Sequence, residues 1–142
     1  MDNHVLDACA LLTFLNDEDG VETMEKIFQK AEDGQIAVYM SIINLLEVYY
    51  DRLRTSKNDG IDEFLEFIRV APITVINSIS DFVYHEAARL KAFNAISLAD
   101  AIGVATAKEL SAQFVTSDHS ELEIIEQQEP ISFRWLPARP RK

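Results

Sequence analysis

Apolar and polar positions follow two rhythms along the chain. Short runs rich in Val, Ile and Phe alternate with longer stretches whose apolar residues recur every three to four positions, roughly the pitch of a helix. Strands are predicted at His4 to Leu6, Ile36 to Met40 (IAVYM), Ile73 to Ile76 (ITVI), the FVT run from Phe114, and from about Ile131 to Trp135. Helical spacing covers Ala8 to Asn16, Val21 to Glu32, Ile42 to Arg54, a face of Phe64, Leu65, Phe67 and Ile68, then Ser80 to Phe93, Leu98 to Leu110 and His119 to Gln127. The stretch Thr55 to Gly60 (TSKNDG) reads as an exposed loop.

Strands that alternate with helices imply parallel pairing, because a parallel neighbour is reached only through a crossover connection. The expected fold is α/β, a three-layer α/β/α sandwich around a central, mainly parallel sheet of about five strands, with residues 1–142 as a single domain. In such sheets ligands bind outside the carboxyl ends of the strands, where connections diverge to opposite faces. Asp7 and Asp118 fall at strand ends of this kind.

The 142 residues, 48% of them hydrophobic, suffice for one sizeable core. No apolar run approaches the ~18 residues that span a bilayer, and nothing at the N-terminus resembles a leader, which predicts a soluble cytoplasmic protein with no membrane contact. The single Cys9 reads as a small core residue. A net charge of −11 argues against a broad basic surface for nucleic acid. Positive charge collects only at the end, where Arg134, Arg139, Arg141 and Lys142 follow Ile131 without an acid.

Against this background three acids each stand as the sole charge in a long apolar stretch: Asp7 in HVLDACALLTFL, Glu47 in IAVYMSIINLLEVYY and Asp100 in AFNAISLADAIGVATA. Asp118 follows the apolar run QFVTS. Each alone has a plain explanation. Asp7 and Asp118 fit helix caps or turns, Asp100 completes a capping box with Ser97, and Glu47 could face solvent. Independent caps, however, have no reason to occupy one edge of one sheet. Two carboxylates ~5 Å apart repel by ~3 kcal/mol at an effective dielectric of ~20, so a shared cluster must hold a cation or protons. An all-oxygen donor set favours Mg²⁺ or Mn²⁺ over zinc, and such an ion suits hydrolysis of a phosphodiester.

At these residues the sequence resembles the PIN-domain family, and within it the VapC-type toxin ribonucleases of bacterial toxin–antitoxin pairs. VLDACALLTFL is similar to the family's first motif with its acid at Asp7. MSIINLLEVYY resembles the second, with Ser41 as the small hydroxyl residue and Glu47 as the acid. ISLADAIGVATA places an acid at Asp100, and FVTSDHSELE matches the fourth motif at Thr116 and Asp118. The resemblance implies a Mg²⁺- or Mn²⁺-dependent endoribonuclease acting on RNA, a homodimer silenced by a small antitoxin protein packed beside the active site. It makes Asp7, Glu47 and Asp100 the central metal ligands and catalytic residues, with Asp118 acting directly or through water. Thr116 orients the cluster, Ser41 supports it, and Glu121 takes a secondary role.

The competing reading is a non-catalytic PIN-like module that binds protein or RNA and keeps a structural cation site. A phosphatase or receiver domain fits less well, since Asp7 is followed by Ala8 and Cys9 rather than by a second acid. His119 and His85 read as turn and helix-face residues, and Trp135 with Phe133 as an anchor on an edge strand.

Overall fold

The structure is a computed structural model that describes residues 2–138, apart from the side chains at positions 58 and 59. Its elements run β1 (Asp2–Leu6), α1 (Ala8–Leu15), α2 (Val21–Glu32), β2 (Ile36–Ser41), α3 (Ile42–Thr55), α4 (Asn58–Val70), β3 (Thr74–Ile76), α5 (Asp81–Phe93), α6 (Leu98–Glu109), β4 (Gln113–Thr116), α7 (His119–Gln128) and β5 (Phe133–Trp135). The strands form one sheet in the order β3-β2-β1-β4-β5, and every neighbouring pair is parallel.

Period-two alternation in the central strands sends neighbours to opposite faces. Leu6 and Val115 pack with Leu11, Met24, Ile27 and Val48 from the helices α1 to α3, with Phe64 of α4 in the same cluster. Val5 and Phe114 pack instead with Val83, Leu90, Val104 and Leu122 from α5, α6 and α7. Helices therefore cover both faces, giving the expected three layers. Because the strand order reverses between β1 and β4, the crossovers before β3 lie on one face and those after it on the other. The crevice created at that reversal opens beyond the carboxyl ends of β1 and β4.

Thr55 to Gly60 is not the loop that its polar composition suggests. α3 continues through Thr55, α4 starts at Asn58, and only Ser56 and Lys57 separate them. Ser56 N–H still donates to Arg52 O at 2.8 Å, closing α3. A Cβ on Gly60 would lie 2.9 Å from Ser56 Cβ, so this glycine makes room for a tight helix–helix turn rather than marking a loop. The last strand also starts later than predicted, at Phe133, although Ser132 O already accepts from Phe114 N–H at 2.9 Å. Of the basic cluster at the chain's end, Arg134 lies in β5, while Arg139, Arg141 and Lys142 lie outside the described residues. No helix among the described residues is long and apolar enough to cross a membrane.

Candidate metal centre

Asp7 is the first residue beyond β1 and caps α1. Its Oδ1 accepts the Ala10 N–H at 2.8 Å, and its Oδ2 accepts the hydroxyl of Thr116 at the end of β4. Two donors thus fix both oxygens of a carboxylate that is only 1% exposed. Burial nevertheless wins over these hydrogen bonds and pushes the carboxyl up to about 7, with the charges of Asp118 and Glu47 adding to the rise.

Asp118 caps α7, its Oδ1 accepting Ser120 Oγ–H at 2.9 Å and Glu121 N–H at 3.2 Å. Thr116 Oγ1 in turn accepts the Asp118 N–H at 3.0 Å, so one hydroxyl ties Asp7 to the turn that carries Asp118. Asp100 stands in the first turn of α6, where its N–H donates to the capping Ser97 Oγ at 3.0 Å. The capping box and the crevice-facing carboxylate coexist, as both need the same position on the helix. Asp100 is 8% exposed, and burial, reinforced by Asp7 and Asp118, pushes it up to about 6.

Glu121 completes the group. Asp100, Asp118 and Glu121 each offer an oxygen, all within 4.8 Å of one another. A hydrogen bond between the Asp100 and Glu121 carboxyls, then burial, then contact with Asp118 push Glu121 up to about 8. The same bond works to hold Asp100 down. Glu47, half-buried one turn past Asn44 in α3, is raised by burial and by the charge of Glu121, against the opposing effect of the Asn44 amide.

No Lys or Arg is among the leading causes of these four shifts. Crowding and burial favour the protonated form of each acid, and a divalent cation would favour the ionised one. The triplet contains no His or Cys, and hard oxygen donors suit Mg²⁺ or Mn²⁺. The residues present therefore fit such an ion.

A family model for the PIN domain matches residues 4–125. The chain belongs to the PIN-domain family. Solved PIN-domain-like structures share its architecture at low sequence identity. The VapBC2 complex of Rickettsia felis, bound to a promoter DNA fragment, superposes with a TM-score of 0.72 at 14% identity, covering 93% of this chain and 97% of that one. FitAcB of Neisseria gonorrhoeae gives 0.66 at 17% identity, covering 92% and 95%. VapC20 of Mycobacterium tuberculosis, a sarcin–ricin loop cleaving toxin, gives 0.63 at 13% identity, covering 96% and 99%. A comparison with curated proteins gives no match.

Within this PIN domain the predicted acids divide into tiers. Asp100, Asp118 and Glu121 make the tight group, Asp7 lies beneath it as electrostatic neighbour of Asp118 and Glu47, and Glu47 faces Glu121. Ser41 is buried and caps α3, accepting Ile43 N–H at 3.2 Å, and so acts on the helix that carries Glu47. Glu121, expected in a secondary role, stands in the tight group, and Asp118-His119-Ser120-Glu121 repeats the cap-plus-acid spacing of Ser97-Leu98-Ala99-Asp100. His119 stacks on Trp135 at 4.4 Å between ring centres, and its two ring nitrogens meet Glu123 Oε2 at 3.0 Å and Leu136 O at 2.8 Å. Trp135 stacks on Phe133 and donates from Nε1 to Glu126 Oε2 at 2.9 Å. Both rings thus serve to fasten β5 and α7.

Proposed function

We propose that this PIN domain is a VapC-type, Mg²⁺- or Mn²⁺-dependent endoribonuclease and the toxin of a toxin–antitoxin pair in the cytoplasm, active as a homodimer. The observation that carries this reading is the crowding of Asp100, Asp118 and Glu121 within 4.8 Å, with the charges of Asp7 and Glu47 acting on the same group. The solved neighbours support it, since they include toxin–antitoxin complexes and one toxin that cleaves the sarcin–ricin loop.

In this reading Asp100, Asp118 and Glu121 hold the ion, with Glu47 and Asp7 completing the negative potential around it. The chemistry supplied there by a bound Mg²⁺ or Mn²⁺ is Lewis-acid stabilisation of the phosphodiester and activation of a water. Thr116 keeps Asp7 in one rotamer by donating to Oδ2, and the Ala10 N–H holds Oδ1. A bound ion would favour the ionised form of Glu121. The strongly acidic site repels RNA in the absence of the ion, so substrate and ion bind together.

The antitoxin would occupy the groove between α3 and α4, a cavity of ≈ 200 Å³ lined entirely by Ile42, Ile43, Leu45, Leu46, Tyr49, Phe64, Leu65 and Ile68. Leu46, Tyr50 and Leu53 continue it as an exposed apolar stripe at helical spacing, beside Glu47. Such a groove accepts the apolar face of a partner helix.

The test is cleavage of an RNA panel containing tRNA, rRNA fragments and single-stranded mRNA, with Mg²⁺ and with Mn²⁺. Cleavage that disappears in Asp7→Asn and Asp100→Asn while both variants stay folded supports the enzyme. An intact panel in both metals, with ion binding retained, favours the non-catalytic module.

A further inference from the structure

We propose that Asn44 is a positioning residue for the metal centre, its amide fixing the distance between the helix that carries Glu47 and the one that carries Asp100. This inference rests on the proposed ion site. Asn44 lies in the apolar run IINLLEV and is 0% exposed, a place where an amide is costly unless its hydrogen bonds are met. Its Nδ2 donates across the crevice to Ala99 O at 3.2 Å, and Ala99 immediately precedes Asp100 in the first turn of α6. Glu47 follows Asn44 by one turn of α3. The bond therefore joins the two acid-bearing turns directly, with no other side chain between them.

The other end of the amide is informative too. Asn44 Oδ1 is buried and has no hydrogen-bond partner among the described residues. A Cβ on Gly103 would come within 3.1 Å of that oxygen and within 2.9 Å of the Phe114 ring. The missing side chain at Gly103 is what lets α3 and α6 approach closely enough for Asn44 to reach Ala99. A leucine has the same branched shape and would leave no oxygen unpaired, so burial alone does not account for an asparagine here. A locally unfavourable residue at an otherwise consistent site marks function. The amide also works directly on Glu47, opposing the rise that burial imposes on it.

The experiment titrates the full chain with Mn²⁺ alone, by calorimetry and by the paramagnetic resonance of free ion, for wild type, Asn44→Leu, Glu47→Gln and the double variant. Asn44→Leu should keep or raise the melting temperature while weakening Mn²⁺ binding by about tenfold, the usual effect of losing an outer support. In the Glu47→Gln background the same change should cost less affinity than in wild type, because the tether then sets the place of Asp100 alone. Unchanged Mn²⁺ affinity in Asn44→Leu, or an equal loss in both backgrounds, overturns the inference while leaving the ion site standing. If Asn44→Leu does not fold, Asn44→Ala carries the same comparison, read against its own melting curve. A wild-type chain that binds no Mn²⁺ ends both readings together.

Discussion

Replacing Asp7 by Asn should stabilise the metal-free protein at neutral and alkaline pH while removing its chemistry. Asp7 is 1% exposed and its carboxyl is raised from 3.8 to about 7, chiefly by burial. An acid held above its ordinary value binds its proton more tightly in the folded chain than in the unfolded one. The stability it contributes is complete below about pH 4 and is lost as the pH rises through about 7. Roughly three pH units of difference correspond to about 4 kcal/mol at pH 8. Asn caps a helix as well as Asp does, and Thr116 can turn to accept from the new amide. The bond from Thr116 to the ionised carboxylate is already contained in the value of about 7. The gain is therefore about 4 kcal/mol, or on the order of 10–15 °C in melting temperature for a domain of this size. Thermal unfolding in EDTA at pH 8 and near pH 4 measures it, the gain being present at the first and nearly absent at the second. An Asp7→Asn variant no more stable than wild type at pH 8 refutes the electrostatic account of the site.

Mn²⁺ affinity should rise by roughly tenfold per pH unit for each displaced proton between about pH 6 and pH 8, the values to which Asp100 and Glu121 are pushed; calorimetry in buffers of different ionisation enthalpy counts the protons released. Thr116→Val removes the hydroxyl that donates to Asp7 and accepts from Asp118 N–H, and should destabilise by about 1–3 kcal/mol in urea unfolding. That loss should be larger at pH 8 than near pH 4, because the bond favours the ionised Asp7. Gly103→Ala forces a methyl to within 2.9 Å of Phe114 and should cost about 1–3 kcal/mol, read from the shift in urea midpoint at unchanged slope.

Much of the architecture is legible because its signals are local. The alternation of Val5 with Leu6 and of Phe114 with Val115 identifies strands buried on both faces, and the structure sends each member of those pairs to a different core cluster. Asp7, Asp100 and Asp118 could be placed at the functional edge because cap chemistry and strand ends are read from short windows. Strand order is a different matter, since crossover length does not say toward which edge a connection runs. The α3–α4 turn was misread for a related reason: TSKNDG has loop composition, but Gly60 answers to the nearby Ser56 side chain. The place of Glu121 beside Asp100 and Asp118 is not legible in the sequence, because a helix-cap acid and a cluster acid share one spacing and only the fold brings the three together. Asn44 shows the same limit, as its partner Ala99 lies 55 positions away.

The seating of β4 beside β1 has a consequence for synthesis. Asp7 emerges early, but Asp100, Asp118 and Glu121 are translated late, and Thr116 reaches Asp7 only once Gln113–Thr116 has zipped onto the first strand. The negative well is therefore a late product of folding, absent until the fourth strand has docked beside the first.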